Sequence, residues 1–363
     1  MQVGIIAPYR SAFVAGLALA ALLAGCAPQT DEAITATVAA RLPAPISNNA
    51  VAIVEHEDGA TLYSFNGLGP GKTWEDVTSI AYACDIPQGA CREIGGPPVR
   101  GGRLASVAVA LGKEIYLFGG YSVAEDGTEV STPDVFAYDP AREIYARRAD
   151  MPVPVDDSLA FTHAGRYIYL VSGWHDDGNV SLVQVYDAEE KRWFRATDYP
   201  GAPVFGHAGG AAGGRFVVAD GVAVVGEDNG RRKFGAVDEA WLGEISEDDP
   251  AIIAWRKLPP HPGGPLYRMA AAGEVEKDRI VFYGGADNPY NYDGVGYDGV
   301  PAKPSATVFA YDFDADDWIV LGETDRPSMD HRGLMIAGGT GYVAGGMDEA
   351  LAVSDAVVAF DLE

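Results

Sequence analysis

Three stretches of this chain concentrate side chains able to bind or transform a small molecule. SGWHDDG (172–178) sets Trp174 and His175 beside two acids, RRK (231–233) is a basic triplet in an acidic chain, and ADNPYNYDGVGYDGVPAKPSAT (286–307) packs Tyr290, Tyr292 and Tyr297 among Asn and Asp. Aromatic faces with polar tips among amides and carboxylates suit stacking on sugar rings while bonding their hydroxyls. Arg231, Arg232 and Lys233 could grip a carboxylate or sulfate by forked hydrogen bonds; the plainer reading, a solvated tip balancing nearby acids, is preferred. DFDADD (312–317) spaces acids as calcium loops begin, but it lacks the glycine and the distal Glu. It reads as a polar turn, and no metal or other cofactor is expected.

These residues need a frame, and the chain supplies one by repetition. IYLFGG (115–120) precedes VFAYD (135–139), IYLVSG (168–173) precedes VQVYD (183–187), and IVFYGG (280–285) precedes VFAYD (308–312). GYVAGG (341–346) with VVAFD (357–361) repeats the pattern, RFVVADG (215–221) with AWLGE (240–244) degrades it, and TLYSFNG (61–67) with SIAYACD (79–85) is a weaker first copy. The glycines recur every 48 to 64 residues, a period that belongs to propellers. Short alternating runs of Val, Ile, Phe and Tyr between Gly, Asp and Asn turns predict antiparallel hairpins. A four-stranded sheet cannot bury both faces by itself, so the blades must stack radially.

The unit resembles the Kelch repeat, with its diglycine ending the second strand, its aromatic and acid in the third, and its Trp in the fourth. Here the fourth-strand aromatic falls seven residues after the third-strand one, in Tyr138 to Tyr145, Tyr186 to Trp193 and Tyr311 to Trp318, with Trp255 after a longer hairpin. The resemblance implies an all-β, six-bladed Kelch-type propeller over 33–363. The last copy stops directly after its third strand, and AITATVAARLP (33–43) alternates and ends in the same Leu-Pro step as LPP (258–260). The expectation is that 33–42 completes the last blade.

In a Kelch-like blade the connections between strands two and three emerge on the same face as those between blades. That face would gather Trp74, Trp174, His175, Arg231, Arg232, Tyr290, Tyr292 and Tyr297, with His207, Arg268, His331 and Arg332 from the inter-blade connections. His207 and His331 lie near the starts of innermost strands, as channel-lining groups or as structural histidines. Galactose oxidase is the Kelch-like enzyme most often matched, but its copper site needs a Tyr crosslinked to a Cys, and no Cys here falls near the axis. No Gly-x-Ser-x-Gly elbow occurs either. A looser resemblance to six-bladed bacterial Kelch proteins that interconvert sialic acid anomers implies a general acid and base over a sugar, from His331 or Glu227, with Arg268 or Arg332 to hold its carboxylate.

Residues 1–25 carry Arg10, an apolar run from Ala12 to Ala24, and LAGC ending at Cys26. This resembles a bacterial lipoprotein signal, which implies lipidation of Cys26, a linker over 26–32 and an address in the cell envelope. Ala27 after the Cys implies the outer membrane, facing the periplasm or the cell surface. The remaining cysteines, Cys84 and Cys91, align with the Tyr and Trp positions of the repeat, so a disulfide would replace an aromatic pair in the first blade. Export makes that oxidation plausible.

The chain holds 52 acids against 26 bases. Such a surface repels nucleic acid and anionic headgroups, leaving the lipid anchor as the expected membrane contact. The reading is an envelope-anchored monomer that binds a carbohydrate or an envelope protein through its loop face. A sugar mutarotase and a protein-interaction scaffold are the competing readings.

Overall fold

The computed structural model describes residue 1, residues 33–176 and residues 178–362. The signal segment 1–25, Cys26 and the linker 26–32 otherwise lie outside the described residues. Among the described residues six blades, each with four antiparallel strands, follow one another around an axis, and the fifth blade gains a short fifth strand at its edge. Blade 1 is Ala50–His56, Gly59–Leu68, Val77–Ile86 and Ala90–Ile94; blade 2 is Val107–Leu111, Glu114–Phe118, Val135–Asp139 and Ile144–Arg147. Blade 3 is Leu159–His163, Tyr167–Val171, Val183–Asp187 and Arg192–Arg195; blade 4 is Ala208–Ala212, Arg215–Ala219, Ala240–Ile245 and Ile253–Leu258. Blade 5 is Ala270–Glu274, Arg279–Tyr283, Ser305–Asp312 and Asp317–Ser328. Blade 6 takes Met335–Ala337, Thr340–Ala344 and Ala356–Asp361 from the C-terminus and Ala36–Arg41 from the N-terminal side.

The closing strand is therefore the one expected. Ala36 pairs with Phe360 and Arg41 with Ala356 across a bulge between Val38 and Ala40. The two residues before it do something else: Ala33–Ile34 leaves blade 6 and runs parallel to the outer strand of blade 5, against Glu323 and Thr324. One short segment thus stitches two blades.

The core lies between blades rather than within them. Ile115 and Tyr138 of blade 2 pack with Phe65 and Ala81 of blade 1, and Phe216 and Ile253 of blade 4 pack with Phe161 and Val183 of blade 3. Blade 6 joins blade 1 through Tyr342 and Val357 against Leu62 and Tyr82. The repeat aromatics serve these seams. Tyr186 lies 5.1 Å from Trp193 and Tyr311 5.1 Å from Trp318, each as a cross-strand pair. At the same register in blade 1 stands the Cys84–Cys91 disulfide.

A second closure runs round the axis. At one equivalent position every inter-blade connection takes left-handed φ: Asn48 (56°), Ala105 (53°), Asp157 (50°), Gly206 (63°), Arg268 (55°) and Asp330 (69°). This turn lets each connection bond the next. Asp157 N donates to Ala105 O at 3.0 Å, Gly206 N to Asp157 O at 2.8 Å, Arg268 N to Gly206 O at 2.9 Å, His331 N to Arg268 O at 3.1 Å and Asn48 N to Asp330 O at 3.4 Å. The missing link is made by a side chain, Ala105 N donating to Asn48 Oδ1 at 2.6 Å. No helix among the described residues is long and apolar enough to cross a membrane.

Candidate functional site

The belt divides the space along the axis in two. On one side is a channel of about 290 Å³, walled by small residues of the innermost strands such as Ala52, Ala108, Ala160 and Gly210. On the loop-bearing side is a cavity of about 330 Å³, and Asp157 lines both. The loop-side cavity combines Trp174, Phe205, Phe234, Tyr121 and Tyr297 with Glu129, Ser131, Asp156, Asp176, Arg232, Arg268 and Asn291.

Long connections build its walls. The 119–134 loop pairs Tyr121–Val123 with Glu129–Ser131, and a hairpin of Val222–Asp228 and Arg231–Ala236 projects from blade 4. Hydrophobic contacts set the hairpin's posture: Phe234 packs on Phe205 at 5.8 Å and Trp174 at 5.7 Å, and stacks on Tyr297 of the 284–304 loop at 4.4 Å. Arg232 lies over the Trp174 ring at 5.1 Å. Aromatic packing of this kind holds polar loops in place where backbone pairing ends.

Under the cavity lies a buried ion network. Arg268 Nε and Nη2 donate to Asp157 Oδ2 at 3.0 and 2.7 Å, and its Nη1 donates to Asn291 O at 2.6 Å and Asp330 Oδ1 at 3.2 Å. Arg332 Nε stands 3.1 Å from Asp157 Oδ1. Burial alone would raise the Asp157 carboxyl, but the guanidiniums of Arg268 and Arg332 outweigh it and hold the group below the usual carboxylate range. Two buried cations and two buried anions therefore balance at the axis, which is the condition for burying charge at all. Tyr290 and Tyr267 flank Arg268, whose guanidinium carbon is 5.2 and 4.5 Å from their rings.

A different environment surrounds the acids on the wall. Ser131 Oγ donates to Asp156 Oδ2 at 2.6 Å, its backbone N donates to Asp176 Oδ1 at 2.8 Å, and Asn291 Nδ2 donates to Glu129 Oε1 at 2.8 Å. Burial, reinforced by Asp157 and Glu129, pushes the Asp156 carboxyl well above its ordinary range despite the Ser131 bond. Burial raises Glu129 as well, outweighing its Asn291 bond.

The residues singled out from sequence divide among these places. Trp174, Arg232, Arg268 and Tyr297 meet at the cavity, and Tyr290 supports it from below. His207, His331 and Arg332 face the channel instead. Burial drives the His207 imidazole down to about 4 and, with Arg332 adding to the effect, His331 down to about 3. His175 pairs with Gly178 in a two-residue ladder beside the cavity. Arg231 is at the exposed hairpin tip opposite Asp228, and Trp74 opens a single 3₁₀ turn, 40% exposed. Tyr292 packs against Leu68, Val77 and Tyr121. Glu227 sits on the exposed hairpin and His331 is buried at the axis. Glu129, Ser131, Asp156, Asp176, Phe205, Phe234 and Asn291 were not singled out. Aligning the inter-blade connections would have found two of them, since Asp156-Asp157 and Phe205-Gly206 stand at the position of Tyr267-Arg268.

No family model matches the chain. It is 33% identical over 108 residues to Kelch-like protein 15 of Gallus gallus, covering 30% of this chain and 22% of that protein. It is 31% identical over 155 residues to Beta-scruin of Limulus polyphemus, covering 42% of this chain and 16% of that protein. The chain thus spans 22% or less of the length of these curated relatives. The solved structure of YjhT aligns with a TM-score of 0.69 over 88% of this chain and 96% of that chain at 17% identity, a likeness of fold alone. With its repeat, its blade count and these likenesses together, the chain is a six-bladed Kelch-repeat β-propeller.

Proposed function

We propose that this propeller is a binding protein of the bacterial cell envelope, anchored through lipid on Cys26, that recognises carbohydrate in its loop-side cavity. One observation carries the reading: a cavity of about 330 Å³ bounded by five aromatic rings, with carboxyls, an amide and a hydroxyl between them. That volume fits a sugar unit within the range of small-ligand pockets, aromatic faces suit the apolar faces of the ring, and the polar groups suit its hydroxyls. The channel histidines and Arg332 are buried and stand outside the cavity, so the reading assigns them to the scaffold. Because Arg268 is neutralised by Asp157 and Asp330, the cavity holds no surplus positive charge for an acidic sugar.

A thermal-shift screen of neutral, amino and acidic sugars tests this. A ligand at a thousand times its dissociation constant adds about 4 kcal/mol of stability. Trp174→Ala, which removes one stacking wall, should abolish the shift while leaving the apo melting temperature within a few degrees. Silence across all sugars would sink the carbohydrate reading.

A second reading is favoured by a separate observation. Val224 and Val225 on the hairpin and Val295, Tyr297 and Val300 on the 284–304 loop are exposed apolar groups on this same face. Exposed apolar groups gathered on one face favour protein contacts, and Kelch-like protein 15 is among the relatives. On that reading the loop face is a protein-interaction surface, and crosslinking in intact cells would return one partner lost on Val225→Asp.

A further inference from the structure

A buried titratable pair lies outside both the channel and the cavity, at the root of the cavity's walls. His261 Nε2 donates to Asp220 Oδ2 at 2.6 Å, and its Nδ1 donates to Pro262 O at 2.8 Å. The two side chains are 0% and 1% exposed. His261 belongs to the connection from blade 4 to blade 5 and stacks on Phe309 at 4.5 Å, with Trp318 edge-on at 5.8 Å. Asp220 directly follows the second strand of blade 4, with left-handed φ.

The partners fix the protonation of the ring. Pro262 O is a carbonyl and can only accept, so Nδ1 carries a proton. Asp220 Oδ2 already accepts from Leu266 N at 2.7 Å, the part of a carboxylate, so Nε2 carries one too. A ring with both protons is an imidazolium. The neutral ring has one proton and would turn a lone pair on the carboxylate or on the carbonyl. Burial alone would lower the His261 ring, but the Asp220 carboxylate outweighs it and raises the group above its ordinary range, with exposed Asp238 adding to the effect. Burial also lifts the Asp220 carboxyl against the pull of His261; the bond from Leu266 N keeps the shared proton on the ring. Phe309 and Trp318, on the other sides, bring no charge.

What the pair ties together gives it a role. Asp220 N donates to Glu239 O at 2.8 Å and so closes the base of the hairpin Val222–Asp228 and Arg231–Ala236, which carries Arg232 and Phe234 to the cavity. Leu266 leads directly into Tyr267 and Arg268, the floor beneath. One carboxylate oxygen therefore holds the stem of a wall to the lead of the floor. We propose that His261 and Asp220 form a pH-sensitive clasp, closed while the ring holds both protons and opened as one leaves, that sets how firmly the hairpin and the floor are held. Because the ring is raised on folding, the clasp contributes in full below about pH 6.5 and is lost as the pH rises through the folded value. It acts on the walls whatever ligand they receive.

Two measurements on the full chain without ligand test it, across about pH 6 to 10, the range above the ordinary histidine value. Nitrogen NMR of labelled histidine reads the ring, and hydrogen exchange corrected for the intrinsic rate reads the walls. Both His261 nitrogens should carry protons at pH 7, and one should be lost as the pH rises. In the same step the amides of 222–224 and 266–268 should exchange at least tenfold faster, while those of Val135–Asp139 in blade 2 stay unchanged. His261→Gln keeps a donor toward Asp220 and does not titrate, so it should abolish the step; should that variant not fold, the wild-type titration decides alone. A ring already neutral at pH 7, or one that keeps both protons to pH 10, would overturn the clasp. Loss of the proton with no change in exchange would overturn it as well, leaving the pair a static part of the core.

Discussion

Glycine is required at one step of the repeat and optional at the other, and the reason is steric. The first position has left-handed φ in all six blades, and Asn66, Ser172 and Asp220 occupy it as well as Gly119, Gly284 and Gly345. The second is glycine every time, because it packs on a carbonyl of the preceding inter-blade connection. A Cβ on Gly120 would lie 2.6 Å from Leu104 O and 2.3 Å from Ser106 Oγ, whereas one on Gly127, with nearly the same φ, would meet nothing within 4 Å. Gly127→Ala should cost about 1 kcal/mol from the left-handed backbone alone. Gly120→Ala should cost about 3 kcal/mol or more, since a clash with backbone adds to it, and chemical denaturation of both variants separates the two contributions. The disulfide makes a matching point. Cys84 and Cys91 stand seven apart where other blades pair aromatics, so the double substitution to Ala should cost about 2 to 3 kcal/mol by loop entropy. Equal unfolding midpoints with and without reductant would show that packing alone holds that seam.

Closure at the level of the strand rests on Ala36–Arg41, which brings the N-terminal side of the chain to the edge of Ala356–Asp361. Removing 33–42 would bare that edge, and bare edges pair with other chains. The variant should melt at least 10 °C lower and dimerise, and a peptide of sequence AITATVAARL added in trans should restore the monomer. An unchanged melting temperature would mean that the axial belt closes the ring unaided. The strand was legible because every blade repeats one local demand, and a missing fourth strand leaves a gap that a leftover alternating segment can fill. The cavity was far less legible. Its lining comes from four connections of unequal length and from the inter-blade turns, none of which repeats. Trp174, Arg232 and Tyr297 were found because their types are conspicuous in polar loops; Asp156 and Glu129 were not, because an acid in a chain with 52 of them carries no signal until burial distinguishes it.

For the whole molecule, the belt at the axis ties folding to protonation. His207 and His331 sit where channel and belt meet, one from the connection into blade 4 and one from that into blade 6. His207 Nε2 bonds Val171 O at 2.9 Å, and His331 Nε2 shares a hydrogen bond with Ser328 Oγ at 2.9 Å. Burial holds them at about 4 and about 3, against about 6.5 in the unfolded chain. Between those limits the unfolded state binds a proton that the folded state refuses, so stability is full above pH 6.5 and falls as the pH drops toward 4. From pH 7 to 5 each histidine should withdraw about 2 kcal/mol. Asp156 and Glu129, raised by burial, and His261, raised overall because Asp220 outweighs burial, act in the opposite direction. The net curve is therefore shallower than the histidines alone would give. The difference between wild type and His331→Asn isolates one of them: the variant should lose about 2 kcal/mol less on acidification from pH 7 to 5. Parallel curves would mean that the folded propeller admits the proton, and that the channel end of the belt is wet enough to solvate an imidazolium.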